Sequence, residues 1–358
     1  MNKPLAISAI VCLFVFCFQI NQLAGQTYCN PICLERQLSV NHSLNEGLTD
    51  PTVVLFRDNY YLFASNAGGY WSSADLLSWK FIPATDIPAD GKEPAATVIG
   101  DWLYFFTAYN GNIYRTKDPD NGKWEMFANS MLLSQIGDFA VFTDTNGKVY
   151  CYYGCTNNNG VMFRELDPKN LLNPLGSPIV CPLVNPLKKD LKKAKTSSNR
   201  TETNGVSGSW MTKYNGKYYY QCTEAIKGFN KYGDVVYVSD SPFGPFTFAG
   251  NNPFSFIPEG YISGAVKGAT FADKYGNWWH IGSITAGTGR NLQTGMGLFP
   301  AGFDKDGNLF VNTDFADCPM VMPTGKVSNI DRLNPGWSVL SVDVTAQAST
   351  AAYPENSA

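Results

Sequence analysis

The sequence predicts an all-β chain folded as a five-bladed β-propeller, and three observations carry that prediction. Composition is the first. The 358 residues include 19 Tyr, 23 Phe, 33 Gly and 21 Pro, while only 16% are charged. Aromatic side chains pack well on pleated faces, and Gly and Pro make corners between short strands. The second is that no long segment carries the 3.6-residue period of an amphipathic helix. The third is a pattern that recurs five times: a strand, a tight turn, an aromatic strand, then a polar strand. One such sheet cannot cover both of its faces. Five set radially can, and they expose only short edges. A β-sandwich with similar turns is the competing architecture.

The chain opens with "MNKPLAISAIVCLFVFCFQINQLAGQ". One Lys precedes an apolar run that is short for a membrane span, and no basic stop follows it. Residues 1–25 are therefore expected to be a signal peptide, cut near Gly25. The expected location is secreted or periplasmic, with no membrane span. Residues 26–44 form an N-terminal extension. The propeller is expected over 45–325. A tail, 326–358, contains the strand-like "GWSVLSVDV" and ends in the low-complexity "TAQASTAAYPENSA", which is expected to be partly disordered.

Within the propeller span, the five copies begin "DPTVVLFRDNYYLFAS", "EPAATVIGDWLYFFTA", "DFAVFTDTNGKVYCYYG", "SGSWMTKYNGKYYYQC" and "KGATFADKYGNWWHIGS". Turn pairs such as Asn215-Gly216 and Asn146-Gly147 separate the first two strands. A basic, polar insertion over 182–204 divides the third copy from the fourth. It is either a solvated loop or a wall of a binding site.

The net charge of −3 gives no basic surface, which argues against a nucleic-acid partner. Of the nine Cys, Cys12 and Cys17 fall in the signal, and the remaining odd number argues against a complete disulfide framework. Cys29 and Cys33 are a candidate pair. Cys151, Cys155 and Cys222 read as apolar fillers of strands. Only His42 and His280 are present, and neither lies near paired Cys, so no zinc site is expected.

In a propeller the first residue of each innermost strand sits at one mouth of the central channel. Counting back from the turns gives Asp50, Glu93, Asp138, Ser207 and Lys267. Three acids gathered in one pocket repel one another, and at least one is then driven toward its protonated form. Acid/base catalysis needs that arrangement. The competing reading is that each acid merely accepts backbone N–H groups at a strand start. Trp71 and Trp210 are candidates for stacking on sugar faces, with core packing as the alternative.

These stretches, with "GDFAVFTDTNGKVYCYYGC", "VVYVSDSPFGPFTF" and "DKYGNWWHIGS", resemble glycoside hydrolase family 43, and in particular its secreted Bacteroidetes branch. The resemblance implies removal of arabinofuranosyl or xylosyl units from plant polysaccharides, with inversion. It implies a base at Asp50 and a tuning carboxylate at Asp138. It also places Ser207 of "SGSWM" where relatives carry the acid Glu, and Lys267 of "GAVKGATF" where they carry a His near a metal ion or water cluster.

A serine hydroxyl is far too weak an acid to protonate a glycosidic oxygen. Three functions therefore stand open. One is an exo-acting glycosidase on plant or algal side chains with a relocated acid, either Glu202 on the loop before Ser207 or Glu93. Another is a catalytically impaired, sugar-binding propeller. The third is a glycosidase for uronate-containing glycans, with Lys267 or Arg290 binding the acidic sugar. Glu93, Trp71, Ser207, Trp210, Lys267 and Arg290 are the expected substrate-binding set. No cofactor is expected, and Lys267 argues against a structural calcium in the channel. The expected partner is an oligosaccharide or polysaccharide, and the expected state is a monomer.

Overall fold

The computed structural model describes residues 26–34, 47–107, 111–133, 136–154, 161–185, 207–226, 231–287, 293–314 and 316–328. The first strand, β1 (Thr27–Tyr28), lies outside the repeat. Blade 1 follows, made of β2 (Thr49–Phe56), β3 (Asn59–Ser65), β4 (Gly69–Ser73) and β5 (Lys80–Pro83). Blade 2 holds β6 (Ala95–Ile99), β7 (Trp102–Phe106), β8 (Asn112–Thr116) and β9 (Glu125–Asn129). Blade 3 holds β10 (Ala140–Thr143), β11 (Val149–Tyr153), β12 (Val161–Asp167) and β13 (Asn173–Cys181).

The expected insertion begins with a short strand, β14 (Leu183–Val184), which adds parallel to the outer edge of blade 4. That blade is otherwise β15 (Ser207–Tyr214), β16 (Lys217–Ile226), β17 (Lys231–Ser239) and β18 (Phe246–Phe248). Blade 5 holds β19 (Ile262–Ala272), β20 (Trp278–Ala286), β21 (Gln293–Phe303) and β22 (Leu309–Val311). The last strand, β23 (Met320–Val321), pairs with β1. Apart from one 3-10 turn at Pro119–Asn121, the described residues contain no helix, and none is long and apolar enough to cross a membrane.

The innermost strands β2, β6, β10, β15 and β19 contact one another in sequence, and β19 returns to β2, closing the ring. Apolar clusters fill the gaps between blades. Phe63, Tyr70, Phe105 and Trp124 pack between blades 1 and 2. Tyr152, Phe163, Tyr220 and Phe246 pack between blades 3 and 4. Strands buried on both faces explain the near-continuous aromatic runs in the sequence. Residues 26–34 of the N-terminal extension are docked on this ring: Tyr28 Oη donates to Leu298 O at 3.1 Å, and Ile32 N to Met296 O at 2.9 Å.

Cys151, Cys181 and Cys222 are buried, in keeping with a filler role. Cys29 and Cys33 are exposed free thiols, so the candidate pairing is not present. Cys155 lies outside the described residues.

Candidate active site

Five positions at one mouth of the channel share a left-handed backbone. Their φ values are 54° at Asp50, 54° at Glu93, 48° at Asp138, 70° at Gly208 and 53° at Lys267. This conformation is costly for residues with a Cβ and clusters at functional sites. It marks the true rim positions, and in blade 4 that position is Gly208, one residue beyond the expected Ser207. Ser207 pairs with Thr223 in the sheet and does not line the cavity.

A belt of hydrogen bonds passes each rim residue to the next blade. Ser65 Oγ accepts the Glu93 N–H at 2.8 Å and donates to Asp50 Oδ2 at 2.7 Å. Glu93 Oε2 accepts the Asp138 N–H at 2.8 Å, and Asp138 Oδ1 accepts the Gly208 N–H at 2.9 Å. Gly208 has no side chain to continue the series. Thr223 Oγ1 and Asp234 Oδ1 do so instead, each accepting the Lys267 N–H at 2.9 Å. Ser283 Oγ closes the belt by accepting the Asp50 N–H at 3.2 Å. Ser65, Thr223 and Ser283 lie on the second strand of their blades, Ser65 at its end. The shared signal is a small hydroxyl after an aromatic strand, in "YYLFAS", "YYYQCT" and "WWHIGS". Sequence reasoning overlooked it.

The cavity above this belt is about 560 Å³ counting its open mouth, and Asp50, Glu93, Asp138, Trp210, Asp234 and Lys267 all line it. The Lys267 ammonium lies 2.9 Å from Asp50 Oδ1. Burial works against the ionised form of Asp50. The Lys267 charge and the Ser65 and Thr49 hydroxyls outweigh it and hold that carboxyl below the usual range. For Glu93, burial and the nearby Asp138 and Asp50 charges prevail over the Asp138 N–H and Lys267, and its carboxyl lies above the usual range. Burial alone would lower Lys267, but Asp50, Asp138 and Glu93 together raise it. The pocket therefore holds one carboxyl biased toward ionisation and one biased toward protonation.

Trp210 half-lines the cavity, and its indole N–H donates to Thr270 O at 2.8 Å. Trp71 is a correction. It is fully buried against Phe81 in the core between blades 5 and 1, where no sugar can reach it. Glu202 and Arg290 lie outside the described residues. Among the described residues, no group of three or more His, Cys, Asp and Glu is placed to hold a metal ion. An ammonium already faces the three rim carboxylates, so this donor set does not fit a divalent cation.

With this geometry in view, likeness to known proteins becomes informative. The profile of glycosyl hydrolases family 43 matches residues 41–308. The chain belongs to that family. Among its relatives are two of described activity. An arabinoxylan arabinofuranohydrolase of Paenibacillus polymyxa is 28% identical over 208 residues, which cover 50% of this chain and 29% of that one. A β-D-galactofuranosidase of Aspergillus niger is 25% identical over 234 residues, 55% of this chain and 62% of that one. The family-43 chain thus spans less than two thirds of either relative. Similar solved structures include the Bacteroides ovatus xyloglucan PUL GH43B, with TM-score 0.63 and 19% identity over 84% of this chain and 60% of that one. Another is a thermostable family-43 glycoside hydrolase, with TM-score 0.58 and 19% identity over 80% of this chain and 96% of that one. At these identities the likeness shows the fold.

Proposed function

We propose that this family-43 chain is a secreted or periplasmic glycoside hydrolase. It removes neutral sugar side chains from plant or algal polysaccharides with inversion. Asp50 is the general base and Glu93 the proton donor. The observation that carries this reading is the opposite bias of the two carboxyls on one belt: Asp50 is held ionised and Glu93 is held toward its protonated form. Hydrolysis needs that division of labour. A water attacks the anomeric carbon and gives its proton to Asp50. The glycosidic C–O bond breaks, and the leaving oxygen takes the proton of Glu93. Asp138 fixes Glu93 by donating its N–H to Oε2. The names of the described relatives, which act on arabinoxylan and on galactofuranosides, favour a furanosyl or pentosyl unit.

The charge balance of the cavity favours a neutral sugar over a uronate. Among the described residues, Asp50, Glu93, Asp138 and Asp234 line it against a single ammonium that is already paired. Free carboxylate oxygens accept hydroxyl protons, and they repel a further carboxylate. One observation favours the second reading, a binding propeller with little turnover: Lys267 occupies an oxygen of the proposed base.

Glu93→Gln provides the test. On natural side chains its kcat should fall roughly 10²–10⁴-fold, while aryl glycosides with good leaving groups, which need little acid help, lose far less. Wild-type turnover of natural side chains by Glu93→Gln would move the acid role elsewhere, with Glu202 the next candidate. Oligosaccharide binding by the wild type without release of any sugar would favour the binding reading.

A further inference from the structure

The belt contains one carboxylate for which the proposed reaction has no use. Asp234, on the third strand of blade 4, is only 2% exposed. Its Oδ1 accepts the Lys267 N–H at 2.9 Å and the Thr223 hydroxyl at 2.5 Å. Its Oδ2 accepts the Gly268 N–H at 2.9 Å and lies 3.6 Å from His280 Nε2. Two consecutive backbone donors of blade 5 thus end on one buried carboxylate. The close fit extends to Gly268, where a Cβ would stand 2.3 Å from His280 Nε2. Lys267 cannot slide along the strand without breaking these bonds.

We propose that Asp234 is a positioning residue that holds the Lys267 backbone so that its ammonium rests on Asp50. Blades 2 and 3 pass the belt onward through rim side chains, and blades 1 and 5 through the second-strand hydroxyls Ser65 and Ser283. In blade 4 Thr223 holds the corresponding place, and Asp234 reaches in from the third strand to add a second acceptor for the same N–H. It does so with a charged group, whose hydrogen bonds are stronger than those of a hydroxyl. The groups facing the Lys267 ammonium are Asp50, Asp138 and Glu93, while Asp234 lies behind its backbone.

The sign of one measurement separates positioning from plain electrostatics. Removing a nearby negative charge lowers the midpoint of a carboxyl. Releasing its ammonium partner raises it. In protein labelled with carboxyl-¹³C aspartate, the Asp50 resonance is assigned by its loss in Asp50→Asn and followed through pH. Asp234→Asn and Lys267→Met should each raise the Asp50 midpoint, by about one pH unit. The double variant should go no further than either alone, because both break the same contact. Thr223→Val, which removes the companion acceptor, should shift it in the same direction, and it serves alone if Asp234→Asn does not fold. A midpoint that stays put or falls in Asp234→Asn, or in Thr223→Val when that variant serves alone, overturns the proposal, as do additive shifts. The role in catalysis rests on the function proposed above, but the titration does not. Movement of the midpoint in a protein that hydrolyses no sugar would sink the proposed function and leave Asp234 in place. Turnover with an unmoved midpoint would do the reverse.

Discussion

Lys267 sets the charge balance of the pocket, because one ammonium acts on every rim acid. It depresses Asp50 directly at 2.9 Å and moderates Glu93 from farther away. Its removal lets both carboxyls rise. Asp50 works ionised, so the acid limb of kcat/KM moves to higher pH. Glu93 works protonated, so the alkaline limb moves up as well. Lys267→Met is therefore expected to displace the whole bell-shaped profile to the alkaline side, with activity lost first at low pH. Profiles on a natural oligosaccharide, whose poor leaving group keeps both limbs visible, check this, and limbs that stay in place would show that Lys267 does not govern the acids. Ser65 acts at the same scale. It ties the proposed base to the backbone of the proposed acid, so the two keep their spacing.

Among elements, the turns explain both what the sequence disclosed and where it misled. Blades 1, 2 and 4 join their first two strands through two residues, as between Tyr214 and Lys217. There Asn215 and Gly216 both have positive φ, as the twist of a tight hairpin requires. Blades 3 and 5 use five-residue loops, as between Thr143 and Val149. Counting from the turn therefore slips by one residue in blade 4, from Gly208 to Ser207. The rim acids of the first three blades survived the count. Trp71, a stacking candidate read apart from the count, lies in the core instead, because strands buried on both faces give an aromatic residue no mark of which side meets solvent.

The longer loop in blade 3 has its own role. Asp144 begins it, is buried, and binds Lys213 at 2.6 Å and Tyr218 at 2.6 Å on blade 4. Burial opposes ionisation of Asp144, but these partners and the Thr145 N–H hold its carboxyl below the usual range. A carboxyl depressed in the folded state contributes stability above its unfolded value, near pH 3.9, and loses it as pH falls through the folded value. Asp144→Asn should cost about 1–3 kcal/mol at pH 7. Urea unfolding should show that deficit shrinking as the pH drops below about 3.9. A deficit that is constant with pH would mean that the charge of Asp144 contributes nothing.

At the scale of the whole molecule, the ring of blades turns five separate strand starts into one site. No blade alone holds more than one rim acid, and Asp50, Glu93 and Asp138 lie far apart in sequence. The closed contact of β19 with β2 is what brings Lys267 to Asp50. The repeat made the ring legible, and ring geometry then made the acids legible. The acceptors behind them, Ser65, Thr223, Asp234 and Ser283, were not legible. Their roles depend on which neighbouring blade donates an N–H, and a single strand carries no record of its neighbour.

The central claim is that Asp50 and Glu93 act on opposite sides of one glycosidic bond. It is tested most directly by a crystal structure of Asp50→Asn soaked with a pool of plant-wall oligosaccharides. The expected result is a terminal neutral sugar in the cavity, with its glycosidic oxygen within hydrogen-bond distance of a Glu93 carboxyl oxygen. A sugar whose leaving oxygen instead meets Glu202, or faces only solvent, would contradict it.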